Sequence, residues 1–169
     1  MTRRDFIFKW AFYGIGLLPV WFLEQAVLNR FHVLGVSPML LPLAAAAVAV
    51  LEGPVGGAGF GLAVGMLCDA VYFGVPGGMT LGLTLASVAA GVAAQYVLKK
   101  SFVGCFICSA GILALLDAMR VLLYALQGSP IPALLRVAAP EILWSLVFVG
   151  PVYLIFRGIY RRVQVSTLF

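Results

Sequence analysis

Asp69 lies in GFGLAVGMLCDAVYFG, residues 59–74, a run that is otherwise apolar. A carboxylate at mid-bilayer costs about 2.5–3.5 kcal/mol on insertion scales, so it must face protein or a wet cavity. Asp117 and Arg120 sit in a second apolar run, three residues apart. At that spacing on a helix they can neutralise each other or pair with other helices. Glu24 and Glu141 complete the set. Asp69 and Asp117 are two aspartates of the kind a protease dyad needs, but the glycine-aspartate context of intramembrane aspartyl proteases is absent. Cys105-x-x-Cys108 has a redox spacing, yet on a membrane helix both are more simply packing residues. His32, the single histidine, stands beside Phe31 and reads as interfacial. There is no His-Glu-x-x-His, and Gly56-Gly57-x-Gly59 lacks the Lys-Ser or Lys-Thr of a phosphate loop. No catalytic, cofactor or metal constellation is expected.

The elements that carry these residues are membrane helices. The chain is 63% hydrophobic and only 10% charged, against roughly 25% charged in soluble domains. That composition excludes a sizeable soluble domain and predicts one all-α integral membrane domain over residues 1–169. Its net charge of +5 reads as the cytoplasmic Lys/Arg bias of membrane proteins rather than as a nucleic-acid surface. A span takes about 20 apolar residues, and about six candidates are visible. They cover 9–28, 38–51, 55–73, 78–98, 102–126 and 142–159. The second is short and alanine-rich, as a broken or re-entrant segment would be. The first follows Arg3-Arg4 with no small-residue cleavage site after it, so it is expected to remain as a span.

Six spans with both termini cytoplasmic place Arg3, Arg4, Lys9, Lys99, Lys100, Arg157, Arg161 and Arg162 inside. Arg30 and Arg136 fall outside. Gly57, Gly61, Gly65 and Asp69 recur every four residues and share one helix stripe. Small residues let a neighbouring backbone approach closely, so the stripe and Asp69 are expected to face protein. Gly78, Gly82, Ala86, Ala90 and Ala94 repeat the spacing on the next span, which predicts that the two stripes pack together. In this topology Glu24, Asp69, Asp117, Arg120 and Glu141 gather at the outer side as one polar belt. A small-molecule pocket, a docking site for a partner and a charge cluster that fixes packing all fit that belt.

The order of these signals resembles a family. Glu52-Gly-Pro-x-Gly-Gly-x-Gly-Phe60-Gly-Leu-x-x-Gly65-x-x-x-Asp69, then Gly74-x-Pro76-Gly-Gly, is similar to the central signature of MreD, the rod shape-determining membrane protein. Pro140-Glu141-Ile-Leu-Trp144-Ser145, Pro151-Val-Tyr153 and Arg157-x-x-Tyr160-Arg161-Arg162 extend the likeness to the C-terminal part. The chain departs from the pattern at Gly77-Gly78-Met79, where Leu-Gly is usual, and at Ser145, where Asn is usual.

The resemblance implies a non-enzymatic part of the elongation machinery in a bacterial plasma membrane. Such a protein binds MreC, a single-pass membrane protein. It couples the MreB filament to RodA and a class B penicillin-binding protein. The family is also similar in fold to the substrate-binding subunits of energy-coupling-factor vitamin importers, and an importer subunit is the alternative. Against it, the first span carries only Ala11 and Ala26 where an Ala-x-x-x-Ala docking stripe is common in such subunits. For Asp69 the expectation is structural: it accepts hydrogen bonds or pairs with Arg120.

Overall fold

The structure is a computed structural model, described here for residues 3–27, 38–71, 77–98, 101–126 and 131–166. Arg30, His32, Gly74, Pro76, Lys99 and Lys100 lie outside these residues, as do the side chains of Arg3, Arg4 and Arg136. The described residues form helices α1 (Arg3–Phe22), α2 (Leu41–Glu52), α3 (Pro54–Val71), α4 (Gly78–Ala93), α5 (Phe102–Leu126), α6 (Ile131–Val147) and α7 (Val149–Ser166). π-Helical turns, Leu23–Val27 and Ala94–Leu98, extend α1 and α4.

Among the described residues, four stretches are long and apolar enough to cross a membrane: Ile7–Ala26, Pro54–Val71, Gly78–Tyr96 and Phe102–Leu126. Ala138–Val147 and Val149–Val163 make a fifth if taken as one bent span, with 47° between them. The single straight span expected over 142–159 is therefore broken at Phe148. Pro151 follows the break closely: it has no N–H to give and is well accommodated in the first turn of the new helix. Pro132 likewise sits in the first turn of α6, which lets that helix begin ahead of the expected boundary.

α2 is the centre of the molecule. Residues 41–51 are all buried, and α1, α3, α4, α5 and α7 all contact it. A helix apolar on every side belongs in an interior, and its run of alanines, Ala44–Ala45–Ala46–Ala47, lets neighbours approach from every direction. Gly53 ends it at φ 90°, a left-handed conformation that glycine adopts without a Cβ clash, and Gly53 N–H donates to the Ala49 carbonyl at 2.9 Å. Pro54 then opens α3 at once.

α3 and α4 pack antiparallel along the α3 glycine stripe. A Cβ on Gly57 would stand 2.8 Å from the Ala49 side chain and 2.9 Å from the Ser87 carbonyl oxygen. One on Gly65 would stand 2.6 Å from Thr80 Cα. The stripe faces protein as its spacing predicts. Its partner differs from the expectation. Thr80, Leu83, Ser87 and Gly91 of α4 meet α3 and the α2–α3 turn, whereas Gly82 approaches Leu116 and Met119 of α5. Cys108 on α5 donates its thiol to the Ala90 carbonyl. Gly78 opens α4. α4 therefore has two contact faces, and its small-residue stripe serves α5.

Candidate functional site

The polar side chains collect at two levels, the two ends of α2. At the Leu41 end, the first N–H groups of α2 need acceptors that the helix cannot supply, and Leu40 at the cap position offers none. Glu24 reaches in from the π-helical turn after α1, and its Oε2 accepts the Leu41 N–H at 3.0 Å. Ser145 on α6 accepts the Met39 N–H at 2.9 Å and donates to the Glu141 carbonyl at 2.7 Å. Ser145 thus joins the residues leading into α2 to α6 through one hydroxyl.

Arg120 occupies the centre of this end. Its guanidinium lies 3.0 Å from Glu141 Oε2, 3.2 Å from Asp117 Oδ1 and 3.3 Å from the Met39 sulfur. Asp117 and Glu141 are buried, so the cation between them is what permits two carboxylates there. Asp69 does a third job. Gly77 caps α4 at φ 80° with no side chain to offer. Asp69 fills that role from the end of α3, accepting the N–H groups of Met79 and Thr80 at 3.1 Å each and the Thr80 hydroxyl. A carboxylate at a helix N-terminus also complements the helix dipole.

The five residues expected to form the outer belt therefore lie at one end of α2 but not as one cluster. Asp117, Arg120 and Glu141 form an ion-paired triad, while Glu24 and Asp69 each hold the start of a different helix. Of the two roles expected for Asp69, hydrogen-bond acceptance is the one formed; among the described residues Arg120 pairs with Asp117 and Glu141 instead. Beside the triad an apolar groove of about 440 Å³ opens between α5 and α6, with Asp117 the one polar residue in a wall that includes Ala114, Ala118, Val121, Ala138 and Ile142.

At the Glu52 end the sequence reading missed a second site. Glu52 accepts an ion pair from Lys9 and a hydrogen bond of 2.6 Å from the Tyr13 hydroxyl. Tyr13 is fully buried in an aromatic group with Trp10, Phe60 and Phe156. Lys9 and Tyr13 are four apart on α1 and so share a face, a signal that they have a common acceptor. Among the described residues no group of three or more His, Cys, Asp or Glu is arranged to hold a metal ion.

No protein-family model, curated protein or solved structure matches this chain. The polar sites must be judged on their geometry alone. That geometry directs nearly every described carboxylate onto a backbone N–H, a hydroxyl or a cation of the same chain. What it can do chemically is hold helices at fixed offsets.

Proposed function

We propose that the chain is a non-enzymatic, multi-pass scaffold of a bacterial plasma membrane, serving the machinery that elongates the cell. In this reading it binds an MreC-like single-pass protein and links the MreB filament to RodA and a class B penicillin-binding protein. Four helices are long enough to cross a membrane and the bent pair makes a fifth span; this reading takes the short, buried α2 as the sixth membrane segment without a full crossing of its own, and keeps both termini in the cytoplasm.

The observation that carries the reading is where the MreD-like signature falls. Its distinctive residues are joints of the α2–α3–α4 module: Gly53 in the turn, Gly57, Gly61 and Gly65 in the helix seam, and Asp69 on the next helix start. Residues used to set helix geometry support a protein whose work is to present a fixed shape to partners. Fold alone does not settle activity, so the test is biochemical. Affinity purification from native membranes in mild detergent, followed by mass spectrometry, is expected to recover an MreC-like protein with cell-wall synthases. Recovery of paired ATPases with a transporter core would replace this reading with the importer subunit.

A further inference from the structure

α7 is unlike the other helices. Its inward face is apolar throughout, with Val152, Tyr153, Phe156 and Val163 buried. Its outward face changes character along its length. Leu154 and Ile155 are exposed at 65% and 40%, and the next two turns expose Arg157, Gly158, Arg161 and Arg162. The level of this change can be placed. Phe156 stacks on Tyr13, and Tyr13 donates to Glu52 beside Lys9. The arginines thus begin where charged side chains first enter the bundle at this end. From Ile155 to Arg161 is about 9 Å along the helix axis. An apolar stretch followed within that distance by cationic groups matches a phospholipid lying alongside, acyl chain first and phosphate next.

We propose that the exposed face of α7 is a docking surface for an anionic phospholipid, with Arg157, Arg161 and Arg162 holding the phosphate headgroup and Leu154 and Ile155 lying against its acyl chains. Three observations favour this occupant. First, the positive charge is unmatched: among the described residues the ion pairs are Lys9–Glu52, Arg120–Asp117 and Arg120–Glu141, and none uses an arginine of α7. Second, the surface is partly ordered in advance. The Arg157 guanidinium lies 5.8 Å from the centroid of the Tyr153 ring, and that ring is 2% exposed and so fixed in place. Third, there is room. A Cβ on Gly158, between the arginines, would meet nothing within 4 Å, so nothing crowds the space between the guanidinium forks. Such forks present paired N–H donors that suit phosphate oxygens. The surface needs only that the bundle sits in a bilayer and is independent of the elongation reading.

Cationic residues at a span end also orient a chain during insertion, so the test must read lipid and not topology. The full chain is reconstituted in nanodiscs of phosphatidylglycerol and phosphatidylcholine in equal proportion. It is then extracted in mild detergent, and the lipid that stays bound is counted by native mass spectrometry. The wild type is expected to retain phosphatidylglycerol with about a tenfold preference, given the attraction of several basic residues to an anionic surface. Arg157→Gln/Arg161→Gln/Arg162→Gln is expected to retain the two lipids nearly equally. The corresponding triple lysine variant is expected to keep most of the preference. Equal retention by the wild type overturns the proposal, as does an undiminished preference in the glutamine variant. If the triple glutamine variant does not fold, Arg161→Gln alone gives the same reading at smaller amplitude.

Discussion

At the Leu41 end of α2, charge is turned inward. Asp117 and Glu141 are buried around Arg120, Glu24 is buried on the helix start, and Asp69 is half-buried on α4. At the other end, Lys9 and Glu52 form a single inward pair, while Arg157, Arg161 and Arg162 stay on the surface. The same kind of residue thus does opposite work at the two levels. A charge enclosed among helices is costly to leave unpaired, so its partner becomes part of the fold. A charge on the outside is free to meet something that is not part of the chain. The difference separates the polar residues that hold the architecture from those that can act beyond it.

That contrast can be broken most forcefully at Arg120. Arg120→Leu leaves the buried Asp117 and Glu141 carboxylates without their shared, partly exposed cation, and stranding a buried charge costs about 3–5 kcal/mol. Thermal unfolding in detergent should show the largest loss of any single change considered. A second substitution tests the middle of the bundle. Gly65→Leu forces a side chain into Thr80 Cα, which cannot swing aside, at a cost of about 3 kcal/mol. With α4 already seated on the stripe, it should open the α3–α4 hairpin in the isolated protein, seen as increased protease cleavage in purified material.

Smaller effects sharpen the comparison. Glu52→Gln keeps an acceptor for Tyr13 but loses the charge facing Lys9, and should cost about 1–2 kcal/mol by the same unfolding assay. Asp69→Asn keeps one acceptor oxygen for the start of α4 and should cost about 1 kcal/mol, less than Asp69→Leu. Equal losses in those two variants would mean that the charge of Asp69, and not its hydrogen bonds, is what α4 requires. At the surface, Arg161→Gln with Arg162→Gln should shift stability by less than about 0.5 kcal/mol. A loss comparable to that of Arg120→Leu would erase the distinction between the two ends.

Much of this was legible from spacing. The four-residue recurrence of Gly57, Gly61, Gly65 and Asp69 placed one face of α3 against protein, and Asp117-x-x-Arg120 announced an ion pair. The α4 stripe was paired with α3 because adjacent helices were assumed to use their small residues on each other. Thr80 and Ser87 can be approached as closely as glycine where a carbonyl or hydroxyl faces the seam, and composition does not reveal that. For Asp69 the sequence left hydrogen-bond acceptance and pairing with Arg120 both open; the structure shows acceptance at the start of α4, a need created by the missing side chain of Gly77. Glu52 entered the sequence reading only as the first residue of the Glu52-Gly-Pro signature. Its role depends on a lysine and a tyrosine 43 and 39 residues away in sequence, and a separation of that size leaves no local pattern.

The shortness of α2 has a consequence for how the protein is made. Its 12 residues reach about 18 Å, well short of the roughly 30 Å of hydrocarbon in a bilayer. Leaving the ribosome alone, such a segment would expose unsatisfied backbone ends to lipid, which no partner in the bilayer can relieve. The groups that relieve them come from both sides in time. Glu24, which accepts the Leu41 N–H, is synthesised before α2, and Ser145, which accepts the Met39 N–H just ahead of it, long after. α2 therefore enters the membrane against a waiting α1, and its Leu41 end reaches a final state only once the C-terminal helices have been translated.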